Sequence, residues 1–348
     1  MSRDKLIIFG VLLLGLLGFL VAKQAKRDEA LGAPLASAKD YPTISAPDDI
    51  DKLSITNGDK GEVVLEKVPD AKPADADGGA EATWILSKPI KAPANQQAVK
   101  DILSNLKDLK VDGRINLKLD DEVRKQKQLD PGHAVHVVAW KGADKRVDEI
   151  FGKSGSAGEL VVVNDKPDQA DKVWAAKGYS SYLYTKEPKD FRFKEILKFD
   201  DAIASQVTIA NAHGTLSFTK GDNWVGTIDK RAIARFDQEK LKDMLRAYKA
   251  LNAEDFGDGK SLSETGLEKP EATVSIQLRD NAGKYDLLVG AVSAGTNRWA
   301  KRADDDTIYQ ITNYVAEWAL ADTSKFQAAI DAGGGDSGAR KTEAPKKK

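Results

Sequence analysis

The chain is 348 residues long with 31% of them charged, yet its formal net charge is only -1. That length suits two ordinary domains, each with its own core, and near-neutrality leaves no overall field to draw a nucleic acid. Cysteine is absent, which excludes disulfides, thiolate zinc sites, thiol nucleophiles and a lipidated N-terminal cysteine.

Residues 1–5 are a short flank carrying Arg3 and Lys5. Leu6 to Ala22 is an unbroken apolar run of 17 residues, closed by Lys23, Lys26 and Arg27. As a helix it would be roughly 26 Å long, slightly under a ~30 Å hydrocarbon core, and Lys23 can snorkel to close the gap. A cleavable signal peptide has the same basic start and apolar centre. Small residues at cleavage spacing occur only at Ala36-Ser37-Ala38, well past the run, and the basic cluster crowds the place where a peptidase would cut. The expectation is therefore one uncleaved transmembrane helix over residues 6–25. Basic residues on both sides nearly tie the positive-inside count. The short N-terminal flank and the acidic Asp28 and Glu29 tip it toward a cytoplasmic N-terminus and a body outside the cytoplasm. Residues 26–48, rich in Ala, Pro, Asp and Ser, read as a flexible tether reaching up to ~85 Å.

Two stretches then repeat each other, 49–198 and 199–330. The β-type runs Leu53-Ser54-Ile55 and Val207-Thr208-Ile209 lead through a second short run to Trp84 or Trp224. A helix follows in each, capped by Asn95 or Asp237, whose side chains suit the free amides of a first turn. Val99, Ile102, Leu103, Leu106 and Leu109 fall on one face of the first helix, and Leu241, Met244, Leu245, Tyr248 and Leu251 on one face of the second. Further on, Val135 to Gly152 matches Thr273 to Gly290 at constant register. Trp174-Ala175-Ala176-Lys177 then answers Trp299-Ala300-Lys301-Arg302, and Tyr182-Leu183-Tyr184 answers Ile308-Tyr309-Gln310. Alternating runs such as Thr273 to Leu278 describe a sheet wet on one side. The fold class expected is α+β: tandem duplicated units of mostly antiparallel sheet with helices on one face. Pro69 to Ala80 and Gly158 to Asp171 read as loop insertions that lengthen hairpins in the first repeat. Residues 331–348, with Arg340, Lys341 and Lys346-Lys347-Lys348, read as a disordered basic tail.

Tests for chemistry give little. Gly152-Lys153-Ser154 resembles the end of a phosphate-binding loop, but Val147 stands where the motif needs glycine; the shared Gly152 and Gly290 read instead as a turn requirement. His133 and His136 would point to opposite faces of a strand, and His213 precedes a hairpin glycine. Asp75-Ala76-Asp77-Gly78 and Asp304-Asp305-Asp306 offer oxygens for calcium without completing a calcium loop. The adjacent carboxylates Asp120, Asp121 and Glu122 are the best acid-base candidates for a hydrolase, and adjacent acids in a loop more often just face water. Of the six tryptophans, Trp140 and Trp318 lack a tryptophan partner in the other repeat and are the candidates for an exposed contact. No catalytic, cofactor or metal residue is assigned.

The apolar start, the tether, Trp84-Ile85-Leu86-Ser87-Lys88-Pro89-Ile90, the capped helix and the Trp-Ala-x-Lys run together resemble the family called domain of unknown function 4340, from about Asp49 to Phe326. The resemblance implies a bacterial single-span envelope protein, often encoded beside an ATPase and permease pair and a gliding-auxiliary-type component. It carries over no catalytic residues. The expected protein is a non-enzymatic scaffold or binding protein at the inner membrane, body periplasmic, accessory to an ABC-type transport or envelope machine through a protein partner. A polysaccharide or lipid binder, or a cell-envelope hydrolase, is the alternative.

Overall fold

The computed structural model describes residues 34–35, 41–44, 46, 48–68, 84–168 and 170–329, and divides the chain into two units between Phe193 and Lys194. Among the described residues no helix is long and apolar enough to cross a membrane. The run Leu6 to Ala22, the insertion Pro69 to Ala80 and the tail 331–348 lie outside them.

In the first unit the strands are β1 (Pro34–Leu35), β2 (Lys52–Asn57), β3 (Gly61–Lys67), β4 (Trp84–Lys88) and β5 (Ala92–Pro93). Helix α1 (Gln96–Asp108) and strand β6 (Lys110–Ile115) follow, then helix α2 (Asp121–Gln126). The unit continues through β7 (Val135–Lys141), β8 (Asp144–Gly155), β9 (Gly158–Val163), β10 (Val173–Lys177) and a single turn α3 (Ser181–Tyr184). They build one antiparallel sheet in the order β1-β6-β10-β9-β8-β7-β2-β3-β4-β5.

The second unit comprises β11 (Glu195–Lys198), β12 (Ala204–Asn211), β13 (Gly214–Lys220), β14 (Trp224–Ile228), β15 (Arg231–Ala232), α4 (Gln238–Tyr248), β16 (Ala250–Asn252) and β17 (Asp255–Phe256). It ends with β18 (Ala272–Leu278), β19 (Lys284–Val292), β20 (Arg298–Arg302), β21 (Tyr309–Ile311) and α5 (Asn313–Ala319). Its main sheet runs β17-β21-β20-β19-β18-β12-β13-β14-β15, which is the order of the first sheet from β6 to β5, strand for strand.

Register agrees as well as order. Ile55 faces Val137 and Val137 faces Glu149; Ile209 faces Val274 and Val274 faces Leu287. Phe151 faces Val161, which faces Trp174; Val289 faces Ala300, which faces Tyr309. Even the irregularity recurs, after Phe151 in one unit and after Val289 in the other.

Each helix lies on its sheet for the reason its sequence suggests. Asn95 caps α1 by accepting from the Ala98 amide at 3.1 Å, and Asp237 caps α4 by accepting from Glu239 at 2.9 Å. Val99, Ile102 and Leu106 of α1 are fully buried, as are Leu241, Met244 and Tyr248 of α4. Each such side chain contributes roughly 1.5–3 kcal/mol on leaving water. The chain's return locks the same point in both units: Asn95 donates its amide to Phe191 O at 2.8 Å, and Asp237 donates to Phe326 O at 2.9 Å.

Several expectations are corrected. The tether does not extend to residue 48: Ile44 and Ala46 belong to the first core, and the Tyr41 ring meets Trp174 edge-on at 5.6 Å. The second unit begins at Lys194, because β11 pairs with β16 and the Tyr285 hydroxyl donates to Lys198 O at 2.8 Å. Gly158 to Asp171 is no simple loop, since it contains β9, paired on both sides and the counterpart of β20. Trp174 therefore corresponds to Tyr309, and Trp299 to Leu160, so the tryptophan match was a coincidence of sequence. Tyr182 to Tyr184 lie on α3 while Tyr309 and Gln310 lie on β21, so that match fails too. Constant register from Val135 fails by one residue: Val135 answers Ala272, and the hairpin turn absorbs the difference before Val147 and Tyr285. A one-residue slip would have turned the strand inside out.

The first sheet is also covered on its second face, at one end. Ile115, Leu129, Leu160, Val162, Val173 and Ala175 form a separate small core there, beneath the segment that carries α2. This is why Leu160 to Val163 is continuously apolar instead of alternating. That segment explains the shared glycines as well. A Cβ on Gly152 would meet Lys127 O at 2.6 Å, and one on Gly290 would meet Thr265 O at 2.3 Å. Both glycines lie inside strands, so they serve a close backbone approach and no turn.

Candidate functional site

A cleft of about 480 Å³ opens in the first unit along the edge of α1. The helix contributes Gln96, Lys100, Leu103, Ser104 and Lys107, spaced so that they share one stripe. Lys67 at the end of β3 and Trp84 at the start of β4 face each other across the ladder and form a second wall; Asp48 and Ile50 form the third. Gln96 fixes the tryptophan's backbone. Its carbonyl accepts from Trp84 N at 3.1 Å, and its amide donates to Trp84 O and Ala94 O, each at 2.9 Å.

Charge in the cleft is mostly positive. Lys107 pairs with Asp48 at 2.7 Å, and that carboxylate raises the lysine's pKa. Among the described residues Lys67 and Lys100 have no ion-pair partner. Ile50 and Trp84 are largely buried and add an apolar portion to the lining.

The second unit repeats this set. Lys220 faces Trp224, Lys249 pairs with Asp201 at 3.2 Å, and Ile203 stands two residues beyond Asp201 as Ile50 does beyond Asp48. Counted from the helix caps, Gln96, Lys100, Leu103 and Lys107 become Gln238, Lys242, Leu245 and Lys249. Eight of the nine positions thus hold the same residue in both units, Ser104 against Arg246 being the exception. The lysines are employed differently, however. Lys242 is bound by Glu239 at 2.7 Å, where the first unit has Gln97, and Lys220 donates to Ala202 O at 3.2 Å while lying 5.8 Å from the Trp224 ring centre.

A second cluster lies at the β8 and β9 ends of the first unit. Glu149 points to the core between Val147 and Phe151; it is 1% exposed, and neither carboxyl oxygen has a hydrogen-bond partner. Burial, with the neighbouring charge of Asp165, pushes its pKa up to about 9. Asp165 is also raised by burial and has one unsatisfied oxygen. Asp148, on the opposite face, behaves in reverse. Burial would raise it, but bonds from His136 (2.7 Å), Lys145 (2.6 Å) and Asn164 (3.3 Å) outweigh that and hold it at about 2. Asp286 occupies the equivalent place in the second unit, bonded by Ser275 and by Lys284 at 2.7 Å, so this acid is part of the module's build.

The residues singled out in the sequence do not converge on a site. Asp120 caps α2, accepting from Val123 N at 2.9 Å, and Asp121 and Glu122 occupy the first turn after it. His133 lies in a turn, not on a strand, with Nδ1 3.0 Å from Asp130. His136 is spent on Asp148, and His213 donates its amide to Asn211 at 2.8 Å. Asp304 holds Arg302 at 2.6 Å, and Asp305 accepts from Thr307 N at 2.9 Å and from the Tyr309 hydroxyl. Asp75 to Gly78 lies outside the described residues. Among the described residues no group of three or more His, Cys, Asp or Glu side chains is placed to hold a metal ion. Trp318 is buried against Phe326, which removes it as an exposed contact; Trp140 is half-buried with the Lys52 ammonium 5.6 Å away.

The model of the family described as "Domain of unknown function (DUF4340)" matches residues 84–270, more than half of the chain. The chain belongs to the DUF4340 family. No curated protein and no solved structure matches it significantly. The matched DUF4340 region includes Trp84 and all five cleft residues of α1, together with Lys220, Trp224 and α4. Sequence reasoning missed the cleft because it read the repeat through apolar residues. The signal was there in Lys67 with Lys220 and Lys100 with Lys242, charged residues outside the apolar stripes that the two units share.

Proposed function

We infer that this DUF4340 protein is a binding scaffold, anchored by residues 6–25 and presenting its two units outside the cytoplasm as an accessory of an ATP-driven transport or envelope machine. The observation that carries the binding role is the recurrence, in two units of equal strand order and register, of eight of the nine residues that line the first unit's cleft. Core residues in the two units can differ in size, Glu149 against Leu287 and Trp174 against Tyr309, while eight of the nine lining positions, all but Ser104, hold the same residue. The 17-residue apolar run supports the anchor, and its flanks support the orientation. The transporter assignment rests on the company implied by the family resemblance.

Affinity capture from detergent-solubilised membranes tests the reading. An ATPase or permease subunit should co-purify with the full-length chain; recovery of only abundant envelope proteins would remove the transporter role. Protease treatment of spheroplasts should digest the two units and spare the anchor, and protection of the units would reverse the orientation.

A further inference from the structure

We propose that the cleft of the first unit binds a phosphate-bearing ligand, and that the second unit carries a self-closed copy of the same site. Three lysines, Lys67, Lys100 and Lys107, and Ser104 line one opening that holds a single acidic residue, Asp48. Lysines bind as point charges with freely rotating donors, which suits a phosphate, whereas a planar carboxylate is the usual partner of an arginine fork. The cleft, at about 480 Å³, is larger than a phosphate alone, and Trp84, Ile50 and Leu103 give the group that carries it an apolar surface.

The two units employ the equivalent lysines differently. In the second, Glu239 and the Ala202 carbonyl take Lys242 and Lys220. In the first, Gln97 has no charge to offer and bonds Asp101 instead at 2.6 Å, so Lys100 and Lys67 face the cleft without a counterion among the described residues. The Asp48 to Lys107 pair is exposed, and pairs of this kind contribute little, so an incoming phosphate displaces Asp48 at small cost. The proposal is independent of the transporter reading: a chain that captures no transporter still has this cleft, and loss of binding leaves capture intact.

The test titrates the detergent-solubilised full-length chain with inorganic phosphate by calorimetry. In parallel, amine labelling of Lys67 and Lys100 is followed by mass spectrometry in phosphatidylcholine vesicles with and without phosphatidylglycerol. Lys67→Gln and Lys100→Gln should each weaken binding about tenfold, the scale of one charge-assisted bond. Gln97→Glu, which copies the Glu239 to Lys242 pair, should weaken it similarly, while Asp48→Asn should strengthen it severalfold. All four positions are exposed, and unchanged near-ultraviolet circular dichroism verifies folding. Phosphate binding that follows this pattern identifies a soluble phosphate compound as the ligand. Protection of the two lysines only by phosphatidylglycerol, lost in Gln97→Glu, identifies a lipid headgroup. If neither probe separates the wild-type chain from the variants, the proposal is wrong.

Discussion

Glu149 and Leu287 occupy the same position in the two units, each facing its neighbour on the preceding hairpin strand and each pointing into the core. One is an isobutyl group and the other a carboxyl group with no hydrogen-bond partner. The folded chain keeps Glu149 protonated up to about pH 9, whereas an unfolded chain ionises it near the ordinary glutamate value of 4.5. Between those values the unfolded state binds fewer protons, so this group removes stability as pH rises. Glu149→Leu should stabilise the protein by about 3 kcal/mol at pH 7, taking 1.36 kcal/mol per pH unit as an upper scale. The gain should shrink toward pH 4.5 and stop growing above pH 9. Urea unfolding across that range checks it, and a gain independent of pH would show that packing alone is responsible.

Asp148, one residue away, works with the opposite sign. Its pKa is depressed to about 2, so its contribution is present above its unfolded value near 3.8 and is lost as pH falls toward 2. Asp148→Asn should cost about 1–2 kcal/mol at pH 6, the figure reduced because water reaches Lys145 and His136 and screens part of the attraction. At pH 2 the variant and the wild-type chain should unfold at closely similar urea concentrations. A deficit that persists there would assign the residue a purely steric role.

How much of this was legible beforehand depends on which forces wrote it. Caps and amphipathic stripes are local, and Asn95, Asp237, Trp84 and Trp224 stand where the pattern puts them. β9 was not legible: its run of buried residues follows from the small second core over Leu160 and Val162, a layer supplied by distant residues 115–129. Its counterpart in the second unit, Arg298 to Arg302, is half-exposed and charged, so the two strands share no pattern and Trp174 was matched to the wrong partner. Glu149 was hidden for another reason. A carboxyl in an alternating strand reads as solvent-facing, and only the register shows that it faces the core.

The two close-approach glycines should be intolerant of a methyl group to a similar degree. Lys153 donates its amide to Lys127 O at 2.8 Å, and Ala291 donates to Thr265 O at 2.9 Å, so the segment that a Cβ would push away is tied down by the next residue. Gly152→Ala and Gly290→Ala should each cost roughly 1–3 kcal/mol, the range for overpacking a site that cannot relax. Gly142→Ala, where nothing lies within 4 Å, carries only the strain of a φ of +56° and separates steric from backbone cost. Thermal unfolding of the three variants ranks them; equal losses at all three positions would mean that the close approach is unimportant.

Trp174 and Trp299 look alike in sequence, and their environments make them unequal. Trp174 is 2% exposed and buried with Tyr41 and Val161, whereas Trp299 is half-buried on the outer face beside Gly257, with the Lys260 ammonium 5.6 Å from its ring. Trp174→Ala should therefore cost roughly 3–5 kcal/mol, the scale for emptying a buried aromatic site, and Trp299→Ala no more than about half of that. Fluorescence supplies an independent measure. Iodide, an anion drawn to Lys260, should quench the Trp299 contribution, so the quenched fraction should fall in Trp299→Phe and rise in Trp174→Phe, which removes an unquenched emitter. Were the two tryptophans true counterparts, both the stability losses and the quenching would be alike, and the register drawn through Tyr309 and Leu160 would have to be abandoned.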